Sequence, residues 1–229
     1  MQIEILQLLE GARSARGLTV IIDVFRAFSV ACYAFDHGVR RIYPVGKIDE
    51  AYQLKDQHPE YLLVGERNEQ KPEGFDCGNS PSQLLRLNLA GKTMVHTTSS
   101  GTQGIANATQ ADELITGSFV NAGAIIKYIQ QKQPEYLSLV CMGYACSAPT
   151  DEDTFLAEYI KAKLEEKPVD FEQMKHSLRF GPGARFFDAE KQRWAPQADF
   201  ELCLDLSKFN FVLKVEQENG RNYLRKIDL

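Results

Sequence analysis

Two short loops hold the residues best suited to chemistry. Thr19-Val20-Ile21-Ile22 runs into Asp23-Val24-Phe25-Arg26, and Lys92-Thr93-Met94-Val95 runs into His96-Thr97-Thr98-Ser99-Ser100-Gly101-Thr102, about 75 residues later. The first loop offers a carboxylate and a guanidinium, the second a row of hydroxyls and a glycine. Thr97, Thr98, Ser99, Ser100, Gly101 and Thr102 form a candidate anion cradle, since hydroxyls and free N–H groups at a helix start suit phosphate oxygens. It is not a Walker A loop, because no Gly-Lys-Ser/Thr follows at the right spacing. Acids are found at three further places: Glu66 and Asp76 in a long polar loop, and Glu152-Asp153 at the start of a helix. With Asp23 they offer hard oxygen ligands for Mg2+, which takes one or two carboxylates plus water and substrate phosphate. Metal-assisted phosphate chemistry is the reaction these types suggest.

Each feature also has a plainer reading. Asp23 can cap a helix, Arg26 can pair with a surface carboxylate, and acids at a helix start are favoured by the dipole alone. The segment from Glu66 to Pro81, with Arg67, Asn79 and Ser80, can be a solvated loop. However, Gly74 and Gly78 flank Asp76 and Cys77 and permit special backbone angles there. Gly181-Pro182-Gly183-Ala184-Arg185 reads as a turn.

The elements that must position these residues follow from periodicity. Val20–Ile22 reads as a buried strand, 27–35 as a helix ending at Gly38, 39–45 as a strand, 49–57 as a helix and 61–64 as a strand. Ser80 and Pro81 then open a helix over 81–89 as N-cap and first residue. A second series repeats the order: strand 94–95, helix 101–108, strand 113–116, helix 121–131, strand 137–141. His58-Pro59-Glu60-Tyr61 is echoed by Gln133-Pro134-Glu135-Tyr136 at a similar offset. The fold expected is α/β: two similar fused β-α-β-α-β units, at about 18–90 and 91–166, forming a layered α/β/α core in one domain. An amphipathic helix over 152–166, capped by Thr150 or Asp151, closes the second unit. The extension 167–229 has helical stretches at 171–180 and 199–206. It finishes in a hairpin turning at Glu218-Asn219-Gly220, expected to pack onto the core. Met1 to Gln7 alternates like an edge strand.

Composition narrows the classes. The 229 residues are 44% hydrophobic and 25% charged with a formal charge of −5, so a soluble globular protein is expected. The basic stripe of a nucleic-acid binder is absent. No apolar run reaches the roughly 20 residues of a membrane span, and the N-terminus lacks signal-peptide character; a cytoplasmic protein without membrane partners is the expectation. The five cysteines form no C-x-x-C pair and read as reduced, mostly buried thiols. Familiar phosphatase signatures are missing too. No cysteine has an arginine six positions on, Asp23 is followed by Phe25 where a two-aspartate motif needs a second acid, and no Arg-His-Gly occurs.

Six ordered motifs carry a resemblance: Asp23-Val24-Phe25-Arg26-Ala27, Gly65-Glu66-Arg67, Gly74 to Pro81, Thr97 to Thr102, Gly117-Ser118-Phe119-Val120-Asn121-Ala122 and Glu152-Asp153-Thr154. Together they resemble the motif series of the 2-phosphosulfolactate phosphatase (ComB) family, and the tail around Asp199 is similar to the family's end. Ser100 stands where the family usually has Asn, and Phe25 where it often has Leu. The resemblance implies a Mg2+-dependent phosphatase that converts 2-phospho-3-sulfolactate to 3-sulfolactate and phosphate. It implies metal ligands among Asp23, Glu66, Asp76, Glu152 and Asp153, and a small anionic phosphorylated substrate. Asp23, Arg26 and Arg67 are then the catalytic set, the attacking group being either a metal-bound water or an aspartate, for which Asp23 is the best candidate. Asn79, Ser80, Asn121 and the hydroxyl loop bind substrate, and a homodimer is compatible with this reading. The alternatives are a phosphatase for another 2-phospho-hydroxyacid or small phosphoester, and a non-catalytic binder of anionic metabolites.

Overall fold

The computed structural model describes residues 1–229. Nine strands form one mixed sheet: β1 (Gln2–Gln7), β2 (Leu18–Ile22), β3 (Arg41–Pro44), β4 (Leu62–Gly65), β5 (Thr93–Thr97), β6 (Glu113–Gly117), β7 (Tyr136–Cys141), β8 (Phe211–Glu218) and β9 (Arg221–Asp228). The helices are α1 (Leu8–Ser14), α2 (Ala27–Asp36), α3 (Ile48–Gln57), α4 (Pro81–Leu84), α5 (Gly101–Asn107), α6 (Ala122–Lys132), α7 (Asp151–Leu164), α8 (Phe171–Phe180) and α9 (Gln197–Cys203), with 3-10 turns at Phe119–Asn121, Pro182–Phe187 and Ala189–Lys191. Most expected elements are present within a few residues. The helix expected to reach Leu89 stops at Leu84, because the next bonds, Arg86 N to Gln83 O and Leu87 N to Leu84 O, close three-residue turns. Ser80 caps it by accepting from Gln83 N at 3.3 Å.

Strand order is β1-β7-β2-β6-β8-β9-β3-β5-β4. Strands β1, β7, β2 and β6 run parallel, as do β3, β5 and β4. The first strand of each sequence unit lies between the second and third strands of the other: β2 sits between β6 and β7, and β5 between β3 and β4. β1 takes an edge, as its alternation suggests. The hairpin turns at Asn219 and Gly220, both at positive φ, but it does not pack on the outside. Antiparallel β8 and β9 are inserted between β6 and β3 and join the two parallel half-sheets. The physical reason is in Phe211-Val212-Leu213, whose alternate side chains are buried on opposite faces. A covering hairpin would leave one of those faces wet.

Side chains split cleanly between the faces. Val20 and Ile22 join α6 and α7 in one cluster, whereas Ile21 joins residues of β3, β4, β5, β7, β8 and β9 in another. At the centre of this second cluster is α2, buried from Ala27 through Phe35, as a helix that is apolar all round must be. Strands β2 and β5 are five positions apart in the sheet, roughly 24 Å if it were flat. Yet the N–H of Gly101, just beyond β5, donates to the side chain of Asp23, just beyond β2, at 2.8 Å. The sheet is therefore curled, with α2 in its concavity and the other C-terminal strand ends drawn together. All five cysteines are free thiols, and no helix is long and apolar enough to cross a membrane.

Candidate active site

The drawn-in strand ends enclose a pocket of about 120 Å3 lined by Asp23, Phe25, Arg26, Glu66, Asn68, Glu69, Asn79, Ser99, Ser100, Gly143, Tyr144, Ala145, Thr150, Glu152 and Arg185. Asp23 is at its base. One carboxylate oxygen accepts from Ala27 N at 3.0 Å and the other from Gly101 N at 2.8 Å, so a single side chain satisfies the starts of both α2 and α5. Of the expected anion cradle, the Gly101 N–H is thus already taken by Asp23. Burial raises its pKa to about 6, opposed by those two N–H groups and reinforced by Glu66. Gly101 permits the approach: a Cβ there would lie 2.9 Å from both the Asp23 carboxylate and the Ala27 methyl. The neighbouring Phe25-Arg26 peptide is cis.

The other acids divide. Glu152 lines the pocket, and its buried Oε2 has no hydrogen-bond partner; burial pushes its pKa up to about 7, against the pull of Arg185. The Thr150 hydroxyl oxygen, also in the lining, is likewise without a partner. Asp153 lies behind the pocket wall, accepting from Val24 N at 2.8 Å and Gly143 N at 2.9 Å and tying the loop after β2 to the loop after β7. Burial first, then Asp23 and Glu152, raise its pKa well above the ordinary carboxylate value. Glu66 reaches the lining with its oxygens already taken by Ser99 N (2.6 Å), Ser99 Oγ (3.2 Å) and Glu69 N (2.9 Å). Asp76 lies elsewhere: it accepts from Leu63 N at 2.8 Å, faces Lys55 at 3.6 Å, and is outside the pocket. No group of three or more His, Cys, Asp or Glu side chains is arranged to hold a metal. Of the five acids expected as ligands, Asp23, Glu66 and Glu152 reach one cavity.

The cations divide likewise. Arg26 lines the pocket, is held by Asp199 at 2.6 Å, and lies over the Phe186 ring at 5.6 Å. Arg67 is directed away, donating to the Glu66 carbonyl (2.7 Å), the Gly46 carbonyl (3.0 Å) and Thr97 Oγ1 (2.7 Å); it braces the loop and does not face the cavity. In its place stands Arg185, from the segment that reads as a plain turn. It donates to Glu69 at 3.1 Å and to the Phe25 carbonyl at 3.2 Å. The sequence signal for Arg185 is a Gly-Pro-Gly turn delivering a cation, and for Asp199 an acid between apolar neighbours on a short helix.

Only part of the hydroxyl loop reaches the cavity. Thr98 and Thr102 satisfy each other, Thr98 N donating to Thr102 Oγ1 at 2.9 Å, and Thr97 serves Arg67. Ser99 and Ser100 face the pocket with their hydroxyls donated to Glu66 and the Gly143 carbonyl. Asn79 lines the cavity, and its Oδ1 is 3.2 Å from His96 Nε2. Ser80 is a cap, and Asn121 closes a capping box with Ser118; both lie outside the pocket. Cys146 touches the Ser99 carbonyl at 3.4 Å, with its thiol pushed up to about 11 by burial.

A family model described as 2-phosphosulpholactate phosphatase matches residues 4–218, nearly the whole of the curled sheet. Relatives named probable 2-phosphosulfolactate phosphatase include one from Bacillus subtilis, 32% identical over 88% of each chain, and one from Caldanaerobacter subterraneus, 29% identical over 86% of this chain and 87% of the other. A Thermotoga petrophila relative of the same name is 43% identical over 54% of this chain, a match spanning about half (52%) of that protein. The chain belongs to the 2-phosphosulpholactate phosphatase family.

Proposed function

We propose that the protein hydrolyses 2-phospho-3-sulfolactate to 3-sulfolactate and phosphate with Mg2+ held by Asp23 and Glu152. One observation carries the metal: the buried, unpartnered Oε2 of Glu152 in a lining with four carboxylates (Asp23, Glu66, Glu69, Glu152) and two guanidiniums (Arg26, Arg185). A buried polar oxygen without a partner is costly, and an anionic substrate is repelled by such a lining unless a cation enters with it. Mg2+ needs only one or two protein carboxylates when water and phosphate complete its shell. Bound there, it would neutralise charge developing on the phosphoryl oxygens.

The chain's own residues do the rest. Arg26, oriented by Asp199, takes a phosphoryl oxygen. Asp23, with each oxygen anchored to a backbone N–H, is a fixed ligand and not a nucleophile that swings toward phosphorus. Water is then the attacking group, and the bond from phosphorus to the lactate oxygen breaks. We infer also that residues 18–90 and 91–166 descend from one duplicated unit and that 167–229 extends it. The reciprocal placement of β2 and β5 supports this reading.

Phosphate release from 2-phospho-3-sulfolactate and a panel of phosphoesters, with Mg2+ or chelator, tests the proposal. Mg2+-dependent turnover, lost in Asp23→Asn and Glu152→Gln, is expected. Turnover undiminished by chelator would overturn the metal assignment, and a base-labile phosphoenzyme in rapid-quench samples would return Asp23 to the nucleophile role.

A further inference from the structure

Arg185 and Glu69 form an ion pair at the pocket wall, 3.1 Å apart, with side chains 20% and 29% exposed. A partly wet pair of this kind contributes little to stability. Glu69 is presented by a tight two-residue turn: Asn68 and Glu69 have consecutive left-handed backbones, φ 52° and 64°, and the backbones of Arg67 and Gln70 bond to each other on either side. The pair joins segments 116 residues apart and neutralises one of the two cations facing the pocket. Glu69 also lines an adjoining cavity of about 230 Å3 with Lys71, Arg193 and Trp194, in which the Arg193 side chain forms no ion pair. A carboxylate released from Arg185 therefore has a second cationic place to go.

We infer that Glu69 is an exchangeable counter-ion, displaced from Arg185 by a second oxyanion of the ligand, a carboxylate or sulfonate beyond the phosphate. This rests on the phosphatase reading of the pocket and adds which cation receives the second acid and what occupies that cation beforehand. A plain phosphoester bound at Arg26 leaves the ion pair in place; a phosphoester carrying a further acid replaces it with an equivalent one. Glu69 thereby tempers the affinity for the second acid by competition, and Arg185 is the group that reads it and is competed for.

Calorimetric titration of 3-sulfolactate, lactate and inorganic phosphate into the Mg2+-loaded wild type, Glu69→Gln and Arg185→Gln tests this. Glu69→Gln keeps shape but removes the charge, so 3-sulfolactate should bind it several-fold more tightly. Arg185→Gln should bind it roughly tenfold more weakly or worse, and phosphate should stay within about twofold in both, because its site is at Arg26. A gain shared by lactate assigns the carboxylate to Arg185; a gain confined to 3-sulfolactate assigns the sulfonate. Weaker or absent 3-sulfolactate binding in Glu69→Gln, or equal shifts for phosphate, would overturn the inference. Melting curves confirm that the variants fold, with Arg185→Lys as the second variant if Arg185→Gln does not. Failure of turnover alongside this binding pattern would count against the proposed reaction only.

Discussion

The guanidinium of Arg26 meets the carboxylate of Asp199 at 2.6 Å, across 173 residues of sequence, with both side chains withdrawn from solvent. The other Asp199 oxygen accepts from Ser82 N at 2.9 Å, so one acid joins α2, α4 and α9 behind the pocket. Asp199→Asn would strand a buried charge, at a cost of about 3 kcal/mol or more. Urea unfolding should show that loss, and KM should rise as Arg26 loses its orientation. A change within experimental error would refute the pairing's importance.

Gly101→Ala places a methyl against the Asp23 carboxylate and Ala27. Both contacts are near-rigid, so Asp23 must shift. A displacement of this kind costs on the order of a hundredfold in rate, with stability lowered by about 1–3 kcal/mol. Steady-state kinetics and melting on the same sample separate the two effects, and a Gly101→Ala enzyme with full activity would contradict the anchoring of Asp23.

Glu152 makes a stability prediction with a definite sign. Its folded-state pKa of about 7 lies above the ordinary 4.5, so the native state keeps a proton that the unfolded chain has lost. Its contribution to stability falls as pH rises from about 4.5 to 7 and stays low above that. Glu152→Gln removes the penalty. In chelator at pH 8 the variant should be more stable by on the order of 2 kcal/mol, and at pH 4 the gain should vanish. Added Mg2+ should raise the melting temperature of the wild type more than that of the variant.

His96 acts in the opposite direction. Burial lowers its pKa to about 3, so below the ordinary 6.5 the unfolded chain takes up a proton that the native state refuses. Stability from this group is full above 6.5 and is lost toward pH 3, by at most about 1.4 kcal/mol per pH unit. His96→Gln should flatten the acid limb of a stability–pH curve; an unchanged slope would show that His96 is not buried neutral.

What the sequence makes legible is what is local. Asp23 and Glu152 are placed by a strand end and a helix start, both visible as changes of period, and the wholly apolar run from Ala27 to Phe35 already requires a helix enclosed on every side. Arg67 and Asp76 show the limit. Each stands in a loop rich in chemistry, but a loop turns adjacent residues to different sides: Glu66 faces the pocket while Arg67 braces Gly46 and Thr97. Arg185 is invisible in the same way, because its partners Phe25 and Glu69 are more than 100 residues away. Curling of the sheet depends on strand order, which no local pattern states.

The inserted hairpin sets the girth of the molecule. Each strand widens a sheet by about 4.8 Å, so β8 and β9 add roughly 10 Å, close to the diameter of an α-helix with its side chains. Two strands that contribute no residue to the pocket thus provide the bore in which α2 fits, and α2 carries on its first turn the N–H that holds Asp23. Deleting β8 and β9 would tighten the curl around a helix that cannot shrink, and the Asp23 carboxylate would be the first group to lose its place.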